Sequence, residues 1–274
     1  MKIKYLGTAA AEGVPGLFCN CAVCMHARLH KGKNIRTRSQ AVVDDTLLID
    51  FPCDTYLHVL RDGLNLRDIH ELIITHAHSD HFYPTDFHFR MRGYSDIPDG
   101  NTLHVYGMNA AKEKIEPFLA QRGESDAFDF TLIEPYKAFR AGKYTVTPLK
   151  ANHDPKSTPV IYIIQKDGKS MLYGNDTGYF PDETWDYLEK SDIVFDLVSL
   201  DSTMGFVESR SGHMGVSCLR EVVARMTEAG LIAPHTKVMA QHFTHNAKGT
   251  YEDFKKFYDN LGIITAYDSL EVEF

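Results

Sequence analysis

Apolar and polar positions along this chain of 274 residues follow two periods, and the switches between them outline the elements. Short runs of Val, Ile, Leu and Tyr read as strands. "MKIKYL" opens the chain in this way, and "QAVVDDTLLID" (40–50) predicts a hairpin turning at Asp44-Asp45. "ELIIT" (71–75), "TLHVYG" (102–107), "KYTVTPL" (143–149), "PVIYIIQ" (159–165) and "SMLYGND" (170–176) continue the series. The last two flank "KDGK", an Asp-Gly hairpin turn. "DIVFDLVSLD" (192–201) and "KVMAQH" (237–242) are apolar enough to be buried on both faces. Helical spacing predicts helices over 54–62, 109–121, 182–190, 216–229 and 251–260, with Asp182 as a cap and Cys218 turned to the core. Residues 84–101 and 121–142 carry no assignable element. No repeat, low-complexity tract or Gly/Ser linker breaks the chain, so one domain is expected over 1–274. Periodicity alone supports a layered mix of α and β; the strand-rich halves, each with helices, lead us to expect an α+β fold of two sheets face to face, covered by helices outside.

Composition changes this picture little. The chain is 43% hydrophobic and 24% charged, ordinary for a soluble globular protein. Charge matters more. Lys and Arg number 29 against 37 Asp and Glu, a formal −8, which disfavours non-specific nucleic-acid binding. No signal peptide and no run long enough to span a membrane is visible. Of five cysteines, Cys19, Cys21 and Cys24 crowd into "CNCAVC". That crowding reads as a metal site in a reducing compartment rather than a disulfide framework, so a cytoplasmic location is expected.

The densest chemistry is "THAHSDH". His76 and His78 lie two apart, and alternate side chains of extended backbone point the same way, so both imidazoles reach one ion. Asp80 and His81 follow and can turn to a second. Imidazole with carboxylate suits zinc, manganese or iron. One short segment cannot complete two ions. His153, Asp176 and His242 each follow an apolar run and are candidates, because loops at one sheet edge converge. The cysteines supply three thiolates for a tetrahedral structural zinc, with His26, His30 or His245 as the fourth ligand.

Together with Asp50 at the end of "TLLID", these motifs resemble the five-motif pattern of the metallo-β-lactamase superfamily over nearly the whole chain. The resemblance implies a four-layer αβ/βα sandwich with two divalent transition-metal ions, Zn or Mn, at one edge. It places His76, His78 and His153 on one ion, Asp80, His81 and His242 on the other, and Asp176 between them, with Asp50 in support. Cys19, Cys21 and Cys24 with His242 and His245 narrow the likeness to the phosphoribosyl cyclic phosphodiesterase branch of the carbon–phosphorus lyase pathway. That branch implies His245 as the fourth ligand of the structural zinc. It also implies a catalytic set of His213, Asp201 and Asp80, with His213 as proton donor and Asp201 orienting it. The substrate it implies is a small cyclic phosphodiester, contacted by loop 202–212 with Arg210. Close relatives imply a homodimer, although no self-complementary patch is legible. The rival readings are a transfer-RNA 3′-endonuclease, for which no glycine- and basic-rich arm is found, a β-lactamase or thioester hydrolase, and a catalytically silent metal-binding module.

Overall fold

The computed structural model describes residues 1–121 and 126–274. In chain order the elements are β1 (Lys2–Gly7), α1 (Ala22–His30), β2 (Gln40–Val43), β3 (Leu47–Ile49), α2 (Thr55–Asp62), β4 (Glu71–Ile73), β5 (Leu103–Gly107) and α3 (Asn109–Gln121). They continue with β6 (Phe128–Leu132), β7 (Phe139–Ala141), β8 (Tyr144–Lys150), β9 (Val160–Lys166), β10 (Lys169–Gly174), α4 (Asp182–Glu189) and β11 (Phe195–Asp201). The last are α5 (Val216–Glu228), β12 (Ile232–Gln241), α6 (Tyr251–Asp259), β13 (Ile263–Thr265) and β14 (Leu270–Glu273).

Two seven-stranded sheets result, ordered β14-β1-β2-β3-β4-β5-β6 and β13-β12-β11-β10-β9-β8-β7. Period-2 alternation feeds two cores at once. Ala41 and Val43 point between the sheets, where they meet Tyr162, Met171 and Met239. Val42 points outward to Ile115 of α3 and to Phe87. On the far side, Trp185 of α4, Leu219 and Val222 of α5 and Phe254 of α6 cover the outer face of the second sheet. The layers are helix, sheet, sheet, helix, which is the expected αβ/βα sandwich. Tyrosines tie the sheets across the middle. Tyr5 Oη bonds Ser199 Oγ at 2.9 Å, and Tyr162 Oη donates to the Ile74 carbonyl at 2.6 Å, just ahead of the histidine segment.

Both turns read from the sequence form. Asp44 and Asp45 take φ of 47° and 57°, Asp167 and Gly168 take 51° and 75°, and the flanking strands pair antiparallel. Two expectations are corrected. Pro181, not Asp182, caps α4. Asp182 lies inside the first turn, makes no side-chain cap bond and contributes only charge at the helix N-terminus. The strand expected to start at Lys237 starts five residues earlier, at Ile232, which pairs with Phe195 of β11 before the register shifts to Leu197 opposite Lys237. The unassigned stretch 121–142 contains β6 and β7, and its residues 122–125 lie outside the described residues. Residues 84–101 contain a 3-10 helix, Pro84–Arg90. Among the described residues, no helix is long and apolar enough to cross a membrane.

Candidate metal centre

Every residue of the candidate centre stands where a strand has just ended. Asp50 follows β3, the Thr75–His81 segment follows β4, His153 follows β8, Asp176 follows β10, Asp201 closes β11 and His242 follows β12. These ends share one rim of the sandwich. Three of these residues turn back over it through left-handed backbone: Asp50 has φ 64°, Asp176 48° and His242 64°. Such backbone costs a non-glycine residue of order 1–3 kcal/mol, and it clusters where side-chain aim outweighs local comfort.

The rim brings two donor groups together. His76 Nε2 lies 3.0 Å from His78 Nδ1, and His153 Nε2 lies 3.2 Å from the same atom. Beside them, His81 Nε2 and His242 Nε2 are 3.3 Å apart, with Asp80 Oδ2 3.4 Å from the His81 nitrogen. Asp176 stands between the groups. Its Oδ2 is 2.7 Å from His81 and 3.0 Å from His242, and its Oδ1 is 4.0 Å from His153. Two nitrogens bound tetrahedrally to one zinc ion lie roughly 3.3 Å apart, so these spacings match shared ligation. Buried Asp176 Oδ2 accepts no hydrogen bond despite its two nitrogen neighbours, an arrangement that calls for a cation. The charge balance agrees. Burial alone would lower the His81 pKa, but Asp176, Asp80 and Asp50 outweigh it and raise the pKa well above the usual value. Burial likewise works against Asp176, yet His242 and His81 hold its pKa well below the carboxylate range.

The outward nitrogens are all occupied. His81 Nδ1 bonds Asp50 at 2.7 Å, His76 Nδ1 lies 3.1 Å from Thr75 Oγ1, and His153 Nδ1 donates to the Gly212 carbonyl at 3.0 Å. His242 Nδ1 lies 2.7 Å from Thr203 Oγ1, and His78 Nε2 lies 3.2 Å from Asp154 Oδ2. Ligand histidines characteristically tie down the second nitrogen in this way, which fixes tautomer and ring orientation. Thr75, Asp154 and Thr203 were missed from the sequence. They are ordinary loop residues by type, and only the tertiary contacts single them out.

A family match decides the class. Residues 49–236 match the β-lactamase superfamily domain. The chain belongs to the β-lactamase superfamily. Family and donor sets together make this superfamily member a metal-dependent hydrolase. Solved structures share its fold at low identity. A diphosphatase of the PhnP family superposes with a TM-score of 0.75 and 19% identity, over 100% of this chain and 98% of that one. Zn(2+)-bound PqqB from Methylobacterium extorquens gives 0.74 and 18% over 100% of both chains. The short form of human tRNase Z gives 0.66 and 16%, over 100% of this chain and 99% of that one. No curated protein sequence matches.

Next to the donor groups of this superfamily member lies a sixth histidine. His213 Nδ1 is 3.1 Å from Asp201 Oδ2, and its ring centroid is 4.8 Å from that of His153. Burial pulls its pKa down, but Asp201 outweighs burial and the value rises to about 9. Asp201 is fully buried and also accepts from Thr203 N, Thr203 Oγ1 and Met214 N at 2.9, 2.9 and 3.0 Å. Together with His213 these donors fill its acceptor capacity. Arg210, expected to contact substrate, has its guanidinium engaged by protein groups. It pairs with Glu221 through both guanidinium nitrogens and stacks 3.8 Å over the Tyr179 ring, at the wall of a cleft of about 620 Å³ that reaches His153.

The cysteines form a separate group. Cys19 Sγ and Cys21 Sγ each lie 3.6 Å from His245 Nδ1, and Cys24 Sγ completes a set within 4.8 Å. Sulfur and nitrogen sharing one tetrahedral zinc lie about 3.5 Å apart. His26 and His30 stack on each other at 4.1 Å, and His26 Nε2 faces Glu252 at 3.5 Å. Gly16 makes room for the group, since a Cβ there would stand 2.9 Å from His245 Nε2.

Proposed function

We propose that this superfamily member hydrolyses a small phosphodiester of the cyclic ribose phosphate type at a dinuclear centre. His76, His78 and His153 would hold one divalent transition-metal ion, and Asp80, His81 and His242 the other, with Asp176 shared. Such ions, Zn or Mn, acidify water and neutralise charge on phosphoryl oxygens. Cys19, Cys21, Cys24 and His245 would hold a structural zinc. That zinc would clip the N-terminal loop to the segment carrying His242, so its binding energy would add to folding.

The observation that carries the phosphodiester reading is the His213–Asp201 pair beside the donor groups. With Nδ1 committed to Asp201, the free Nε2 carries the proton that an alkoxide leaving group needs when the ester bond breaks. Asp201 holds the imidazole in that orientation and stabilises its charged form before transfer. The cleft beside His153 is large enough for a sugar phosphate, and Tyr179, Asn152 and Ser211 line it. The acidic net charge and the lack of a basic arm favour a small substrate over RNA.

The test pairs elemental analysis with a substrate panel of cyclic ribose phosphates, 2′,3′-cyclic nucleotides and precursor transfer RNA. Two zinc or manganese ions per chain beyond the cysteine-bound zinc, with turnover of the cyclic phosphates, are expected. Cleavage of transfer RNA alone would assign a nuclease, metal-loaded protein with no turnover would leave a silent metal-binding module, and metal-free protein would refute the centre.

A further inference from the structure

We infer that Thr203 is a positioning residue through which one carboxylate, Asp201, governs two histidines of opposite duty. Asp201 holds the proton donor His213 directly and the ligand histidine His242 through the Thr203 hydroxyl. The inference rests on the metal-centre reading above.

Proton counting carries it. An ionised carboxylate only accepts, so Thr203 Oγ1, at 2.9 Å from Asp201 Oδ2, donates its single proton there. The same oxygen lies 2.7 Å from His242 Nδ1, with no proton left to give. The imidazole must therefore donate, and His242 bears its proton on Nδ1. In the neutral imidazole Nε2 is then the bare lone pair, and it is directed at Asp176 Oδ2 at 3.0 Å and His81 Nε2 at 3.3 Å. All five of these side chains are almost wholly buried, so water does not substitute for the hydroxyl. His213 Nδ1 lies 3.1 Å from the same carboxylate oxygen, Asp201 Oδ2.

The other sheet repeats the device. Thr75 Oγ1 lies 2.9 and 2.8 Å from the two Asp50 oxygens and 3.1 Å from His76 Nδ1, while Asp50 also bonds His81 Nδ1 directly at 2.7 Å. Each sheet edge thus carries one buried aspartate, one threonine and two histidines. The difference lies in duty. Asp50 serves two ligand histidines, whereas Asp201 serves one ligand and one proton donor, so binding of the second ion and the aim of the donor share one anchor.

Thr203→Val keeps the shape and the backbone bond to Asp201 but cuts the arm to His242. Thr203→Ser keeps the arm. Metal-stripped protein is refilled with zinc in competition with a chelating indicator, and melting curves check the fold. Loss of such a supporting contact weakens one of the two rim ions by roughly 10–100-fold in Thr203→Val. Thr203→Ser should bind as the parent does. Equal binding by Thr203→Val and parent, or equal loss in both variants, overturns the inference. A parent that binds fewer than two rim ions overturns the metal-centre reading instead. A second readout needs no variant at Thr203. In metal-free parent protein with nitrogen-labelled histidine, the His242 signal, assigned by its loss in His242→Gln, should report a proton on Nδ1. A bare Nδ1 would sink the relay.

Discussion

Replacing His213 by alanine separates proton donation from everything else the rim does. The imidazole is held 3.1 Å from Asp201, whose other acceptor sites are filled by Thr203 and Met214, so the ring is aimed before substrate arrives. Its centroid lies 4.8 Å from that of His153, close to where a phosphoryl group would sit. A positioned general acid contributes about 10²–10⁴-fold in rate. At 1.36 kcal/mol per tenfold, that is about 2.7–5.4 kcal/mol of barrier. The loss should depend on the leaving group. A ribose alkoxide needs the proton, whereas nitrophenolate is stable without it. His213→Ala should therefore lose about 10²–10⁴-fold in kcat on a cyclic ribose phosphate and less than about tenfold on bis(p-nitrophenyl) phosphate. Metal content by elemental analysis should stay at the parent level. Equal losses on both substrates would mean that His213 binds or positions rather than protonates. Parent activity on the cyclic substrate would remove it from the reaction.

Three more outcomes follow from other parts of the fold. Asp44 sits 2.7 Å from Lys166 Nζ and 2.7 Å from the Lys2 amide; burial acts to raise its pKa, but these partners outweigh burial and lower it. A carboxylate lowered on folding stabilises above its unfolded pKa and loses that stabilisation as pH falls through the folded value. Asp44→Asn, which keeps the left-handed turn, should cost about 1 kcal/mol at neutral pH, with the gap closing below about pH 4 in denaturant titrations. Cys24→Ser should remove one zinc per chain by elemental analysis and lower the melting temperature; unchanged zinc would refute the cysteine site. Gly178→Ala places a Cβ 2.3 Å from the Arg210 carbonyl, in a segment where Tyr179 N also bonds that carbonyl at 2.9 Å. Backbone must move, so melting temperature and kcat should fall together, and a variant matching the parent in both would refute the contact.

Much of this protein was legible in its sequence because its strands are buried on two faces and end in chemistry. Apolar runs such as 71–75 and 170–174 stand out, and the histidine or aspartate just beyond each is conspicuous by type. The seven rim residues and the three cysteines could therefore be picked by residue type and position. The elements that escaped are weakly patterned or short: α1, which buries just Cys24 and Ala27 and leaves Met25 and Leu29 exposed, the three-residue strands β7 and β13, and the half-exposed β6 and β14. Their stability comes from neighbours, not from their own pattern. Sequence alone determined which ligand types follow which strands. Tertiary structure decided what each nitrogen faces. Thr203 and His242 are 39 residues apart, and Asp154 and His78 are 76 apart. No local pattern encodes such pairs, because a hydrogen bond needs two atoms within about 3 Å. The pairing of β11 with β12 brings the first pair there, and the packing of one sheet on the other brings the second.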